Sequence, residues 1–140
     1  MTKVLVPIDG SLHALHAVDI VLKQIADGRP LEVHLLNVQA QIPGRARAFL
    51  SKDVVDEYYH EEAAKALKAA REKLDQAGVP YTEDVQVGNA AEAIARYVKA
   101  KGCEVIIMGT RGHGTVQGVV LGSVATKVLH LVDVPVTLVK

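Results

Sequence analysis

The chain has one cysteine, no excess of charge of either sign, and no apolar run long enough to cross a bilayer. A single cysteine excludes an intrachain disulfide framework and a cysteine-built zinc site, and it fits a reducing compartment. Cys103 has no histidine or asparagine close to it in sequence, so it reads as a small, partly buried filler rather than a nucleophile. Sixteen basic residues balance sixteen acidic ones, so no overall positive field draws in nucleic acid or anionic lipid, and any anion has to be held by a local site. No stretch approaches the roughly 18 apolar residues of a membrane span. The opening run from Lys3 to Ile8 reads as a strand rather than a signal peptide. A cytoplasmic protein with neither a nucleic-acid nor a membrane partner is expected.

The two commonest phosphate loops are missing too. A dinucleotide fingerprint GxGxxG would follow the first strand, where only Gly10 stands, and no glycine precedes a lysine followed by Ser or Thr as a Walker loop demands. Neither an internal repeat nor a low-complexity segment is present, and 140 residues make one domain, residues 1–140, able to bury a sizeable core.

What is present is an alternation of strand and helix patterns. Val4, Leu5, Val6, Pro7 and Ile8 form an apolar run without alternation, as in a parallel strand covered on both faces. Ser11 is a good N-cap for a helix whose Leu12, Leu15, Val18, Leu22 and Ile25 recur at spacings of three and four. Leu31 to Val38 is a second strand. Gln39 to Lys52 carries Pro43, Gly44, Arg45 and Arg47 with no sustained period and reads as a longer irregular connection, long enough to fold over a site. Asp53 to Ala77 is a long helix with Ala63, Leu67, Ala70, Leu74 and Ala77 on one face and Glu61 paired to Lys65.

Tyr81 to Val87 follows as a strand in which Val85 and Val87 alternate with Asp84 and Gln86. Asn89 with Glu92 makes a variant capping box for a helix through Ile94, Tyr97 and Val98, closed by Gly102. Val105 to Met108 is the fourth strand, and Val124, Val128 and Leu131 mark a last short helix. Val134 to Val139 is the fifth strand, and Pro135, which cannot donate to a ladder, argues for a sheet edge. This βαβαβαβαβ order predicts an α/β fold, an open, parallel, three-layer, five-stranded sheet that binds ligands beyond the carboxyl ends of its strands. Asp9, Val38 and Gly109 stand at those ends.

The segment between the fourth strand and the last helix, GTRGHGTVQGVVLGSVATK from Gly109 to Lys127, holds five glycines. Taken alone it serves equally as a surface loop or as an anion site, because backbone N–H groups approach a phosphate closely where no Cβ intervenes. Ser123 offers a hydroxyl and an N-cap at once. Elsewhere, His13 and His16 lie three apart on the first helix but have no third ligand at matching spacing, so they read as polar helix residues. His34, His60 and His130 lack a companion pattern.

Gly109, two residues, Gly112, nine residues, Gly122 and Ser123 make a G-2x-G-9x-G-S arrangement. This closely resembles the nucleotide-binding signature of the universal stress protein family, in its ATP-binding branch. The resemblance runs the length of the chain through VPIDGS, the loop after the second strand, the long second helix, VGNAAEAI, VIIMGTRG, LGSV and the closing VPVTLV. It implies a sheet of order 3-2-1-4-5, Rossmann-like and of the adenine nucleotide alpha hydrolase-like kind.

By that resemblance Pro7 and Asp9 border the nucleotide, Val38 lies against adenine, and Met108 and Gly109 approach adenine and ribose. Gly112, Gly122, Ser123 and Val124 would hold phosphates through backbone N–H groups. ATP is the expected ligand, with AMP or ADP as alternatives and Mg²⁺ or Mn²⁺ alongside. Asp9 would repel a triphosphate unless it contacts base or ribose or binds that metal ion, and its other role would be to cap the helix near Ser11. Arg111, His113 and Thr115 are left outside the site, since loop arginines are usually solvated. Family members dimerise through the last strand, which implies a homodimer through Val134 to Val139.

Three functions follow: an ATP-binding stress or signalling module, a slow ATPase or autophosphorylating protein with Ser123 or Thr110 as acceptor, and an assembly protein acting through its dimer edge. No residue stands out as a catalytic base, which favours binding over dedicated catalysis.

Overall fold

Val4, Leu5 and Val6 are fully buried because β1, Thr2–Pro7, is the middle strand of the sheet and is covered on both faces. The computed structural model describes residues 1–112 and 121–140, so His113, Gly114, Thr115 and Gly118 lie outside the described residues. Around β1 the chain builds α1 (Leu12–Ala26), β2 (Leu31–Gln39), a one-turn α2 (Gly44–Arg47), α3 (Lys52–Gln76), β3 (Tyr81–Val87), α4 (Ala90–Lys101), β4 (Val105–Gly109), α5 (Ser123–Leu131) and β5 (Val136–Val139). All neighbouring strands pair in parallel in the order β3-β2-β1-β4-β5. The expected α/β architecture and strand order are those observed.

The alternation of side chains along each strand divides the core into two layers. Val4, Val6, Val33, Leu35 and Ile107 meet α1 and α3 on one face, while Leu5, Leu36, Ile106 and Met108 meet α4 and α5 on the other. Each such aliphatic side chain contributes about 1.5–3 kcal/mol on burial.

Local chemistry sets the helix ends. The Ser11 hydroxyl accepts from Ala14 N and starts α1, Ser51 does the same for Val54 N in α3, and Asn89 accepts from Glu92 N in α4. The connection from Gln39 to Lys52 is less irregular than its composition suggests, since it contains α2, and Ile42 N donates to the Tyr59 hydroxyl of α3 at 2.9 Å.

Several sequence expectations are corrected by packing. The buried face of α1 is Ala14, Ala17, Val18 and Val21, whereas Leu12 is 69% exposed and Leu15, Leu22 and Ile25 only flank the core. Small alanines let α1 lie close to the sheet. The closeness is greatest at Gly109, where a Cβ would stand 2.6 Å from His13 Cβ and 2.9 Å from its backbone carbonyl carbon. In α3, Lys65 pairs with Glu62 at 3.5 Å rather than with Glu61, and Ala77 is exposed at the C-cap. The last strand begins at Val136, with the carbonyl of Pro135 accepting from Ile106 N, and it is indeed an edge.

In β3 the alternation is real but inverted. Val85 and Val87 are 44% and 41% exposed, while Asp84 is half-buried because it accepts from the Tyr97 hydroxyl of α4 at 2.7 Å. His34, which lacked a companion in the sequence pattern, joins the same network. Its Nε2 faces the Glu32 carboxylate at 2.7 Å and so donates, leaving Nδ1 to take the Thr82 hydroxyl at 2.9 Å, with the Tyr97 oxygen at 3.2 Å. Glu32 is held below the ordinary carboxylate range chiefly by that bond from His34, and Tyr97 is pushed well above the ordinary phenol value by burial and then by Asp84. Burial likewise pushes the Cys103 thiol up, which agrees with a filler role.

Replacing Tyr97 by Phe removes the donor to a half-buried carboxylate and is expected to lower stability by about 1–3 kcal/mol in urea unfolding. Because the fold raises the Tyr97 pKa, its contribution is complete below the ordinary phenol value of about 10 and is lost as pH rises beyond it. The stability gap between wild type and Tyr97→Phe should therefore narrow above that pH. Gly109→Ala should cost about 1–3 kcal/mol by overpacking against α1. Gly44→Ala, which meets no atom within 4 Å, should leave the unfolding midpoint nearly unchanged.

Candidate functional site

Strands β1, β2 and β3 wind to one side and β4 and β5 to the other, so the crevice between β1 and β4 lies at the topological switch point. A cavity of about 240 Å³ opens there. The nine residues singled out in the sequence all line it: Pro7 at the end of β1 and Asp9 beyond it, Val38 at the end of β2, Met108 and Gly109 at the end of β4, Gly112 after it, and Gly122, Ser123 and Val124 at the start of α5. Leu36, Ile94 and Met108 give it apolar walls, while Asp9, Arg111 and the first turn of α5 make it polar elsewhere.

Asp9 sits in the turn between β1 and α1. Its Oδ1 accepts from Ser11 N at 2.9 Å, so Asp9 braces the turn while Ser11, not Asp9, caps the helix. Its Oδ2 lies against Gly112, at the place a Cβ would occupy. At the other end of the motif, a Cβ on Gly122 would stand 3.3 Å from both Arg111 Cα and the Thr110 carbonyl oxygen. The three motif glycines thus share a purpose that their spacing does not reveal: each lets two parts of the cavity wall touch.

The N-terminus of α5 differs from the other long helices. Gly122 occupies the cap position with no side-chain bond, and Ser123 is the first helical residue rather than the cap expected from sequence. Gly122 N donates to the Thr110 carbonyl at 2.6 Å, and the cap residue has no side chain to offer the first turn formed by Ser123 and Val124, for which no capping side chain is seen among the described residues and which lies on the cavity wall. Uncapped first-turn amides and the positive end of the helix dipole favour an anion there. The Ser123 side chain is exposed, whereas Thr110 is 7% exposed and its hydroxyl is buried with no partner among the described residues.

Other parts of the wall were not singled out in the sequence. Ala90 and Ile94 come from the first turns of α4, and their signal is the Asn89 cap that fixes where that helix begins. Arg111, set aside as a solvated loop residue, is half-buried on the wall, and its Nη2 lies 3.3 Å from His13 Nε2. His16 donates from Nδ1 to the Lys140 backbone oxygen at 2.7 Å. Among the described residues no group of three metal-ligating side chains exists, and the His13 and His16 rings meet edge to face at 6.2 Å.

Comparison with known proteins agrees with this architecture. The model of the Universal stress protein family matches residues 1–140. Universal stress protein YxiE of Bacillus subtilis is 30% identical over 146 residues, covering 99% of this chain and 98% of YxiE. Among solved structures, protein MJ0577 of Methanocaldococcus jannaschii superposes with a TM-score of 0.83 at 27% identity, covering 99% of this chain and 95% of that one. A universal stress protein in complex with cAMP superposes with a TM-score of 0.71 at 25% identity, covering 99% and 97%. With its sheet order, its switch-point cavity and its sequence matched from end to end, the chain belongs to the universal stress protein family.

Proposed function

We propose that this chain is a binding module for an adenine nucleotide, with ATP as its ligand, acting as a small cytoplasmic stress or signalling protein. The observation that carries the reading is one cavity whose described wall combines the first turn of α5, begun at Gly122 without a side-chain cap, with the apolar side chains of Val38 and Met108. A flat heteroaromatic base suits the apolar end, and a phosphate chain suits the helix end. The bound cAMP in a structure of the same family supports the adenine half of this reading.

In these terms Pro7, Val38, Met108 and Gly109 border base and ribose, and Gly112, Gly122, Ser123 and Val124 hold phosphates. Asp9 is the one carboxylate on the described wall and would hold Mg²⁺ or Mn²⁺ together with phosphate oxygens, the ion neutralising charge between them. Asp9 and Arg111 are the titratable side chains on that wall among the described residues, and an arginine does not serve as a general base.

Calorimetric titration of purified protein is expected to show saturable ATP binding. Gly122→Val, which crowds Thr110 and Arg111 and displaces the α5 amides, should weaken it by about tenfold or more, the loss of at least one charge-assisted hydrogen bond. Absence of ATP binding by the folded wild-type chain would refute the reading. The open edge of β5 further suggests a homodimer formed through Val134 to Val139, and light scattering at micromolar concentration should give twice the monomer mass, a monomer counting against it.

A further inference from the structure

Arg111 and His13 form a pair that the motif does not contain. Gly109 brings the first turn of α1 against the end of β4, and two residues later the chain returns past that turn with Arg111 on the cavity wall. A guanidinium only donates hydrogen bonds, so the 3.3 Å contact from Nη2 makes His13 Nε2 an acceptor. The ring is then neutral, with its proton on Nδ1. Among the described residues no carboxylate forms an ion pair with Arg111, although Arg71, Lys73 and Lys127 each have one. The nearby carboxylate of Asp9 is turned to Ser11 N and Gly112. Among the described residues, then, a half-buried cation with no ion-pair partner shares its cavity with the first turn of α5, which has no side-chain cap from Gly122.

We propose that Arg111 is the counter-charge for the ligand's phosphates and that His13 sets its strength, so that phosphate binding is linked to proton uptake by His13. This rests on the nucleotide reading above and deepens it. With His13 neutral, its Nε2 engages one arm of the guanidinium fork. When His13 takes up a proton, the acceptor is lost, the arm turns to the ligand, and a second positive charge stands behind it. The charged and titratable groups that face His13 among the described residues are Arg111 beyond β4 and His16 on the next turn of α1, whose Nδ1 is engaged by the Lys140 backbone oxygen beyond β5. Asp9 is the acidic group of the same wall.

The test uses three probes, adenosine, ATP and tripolyphosphate, titrated into wild type, Arg111→Gln and His13→Gln at pH 6 and pH 8. Glutamine at position 13 accepts a hydrogen bond but does not titrate, and comparison with wild type cancels the titration of the phosphates themselves. Arg111→Gln should weaken ATP and tripolyphosphate by about tenfold, as expected for a charge-assisted bond, and leave adenosine within about twofold. From pH 8 to pH 6, wild type should gain affinity for ATP relative to His13→Gln by about threefold or more, the scale of a helix-surface charge effect on a partly buried site. Imidazole nitrogen NMR of the unliganded protein at pH 8 should show His13 protonated on Nδ1, and Arg111→Gln should release that preference. Unchanged ATP and tripolyphosphate affinity in Arg111→Gln, an equal loss for adenosine, the same pH dependence in His13→Gln as in wild type, or an Nε2-protonated His13 would each overturn the proposal. Should adenosine and ATP both fail to bind while tripolyphosphate binds and is weakened in Arg111→Gln, the nucleotide reading falls and the Arg111 assignment stands.

Discussion

Gly109 carries no side chain, and that one missing methyl group lets α1 lie against the end of β4. Much of the site depends on this contact. It brings the turn of Asp9 and Ser11 close to the segment after β4, so that Asp9 Oδ2 touches Gly112 and His13 touches Arg111. It also explains why the buried face of α1 is built from alanines near the site: larger residues at 14 and 17 would lift the helix off the sheet. The walls of the crevice meet where glycines leave room, Gly109 against His13, Gly112 against Asp9 and Gly122 against Thr110 and Arg111.

The fold was legible because a parallel sheet with helices on both faces leaves plain marks. The unbroken apolar run of β1, the caps at Ser11 and Asn89, and the edge strand marked by Pro135 each have a local physical cause that acts in the sequence as it does in the structure. What was not legible depends on partners far away in the chain. The outward turn of Val85 and Val87 follows from Asp84 finding Tyr97, a residue thirteen positions on and in another layer. Nothing in the period of β3 distinguishes that arrangement from its mirror. Likewise Leu12, a strong apolar signal at a helical spacing, is exposed because the helix is oriented by close packing of small residues.

The site shows the same division. Motif spacing and the family resemblance together singled out nine residues that line the wall, since strand ends and helix starts converge at the switch point whatever the details. They did not locate Arg111, Ala90 or Ile94 on the wall, nor His13 behind Arg111, because these places depend on how α1 and α4 are set against the sheet. Ser123 illustrates a finer shift: a serine after glycine looks like a cap, yet the glycine takes the cap position, and the helix opens on the cavity with no side-chain acceptor among the described residues. A cap would have satisfied the amides from within; its absence leaves them for something else.

The network of Glu32, His34, Thr82, Asp84 and Tyr97 lies away from the cavity, but α4 connects the two. Tyr97 donates to Asp84 of β3 and lies against His34 of β2, and Ile94, one turn earlier on the same helix, is part of the cavity wall. The side of the wall that α4 supplies is therefore fixed when the chain folds, so its share of conformational entropy is surrendered to folding and not to whatever fills the cavity.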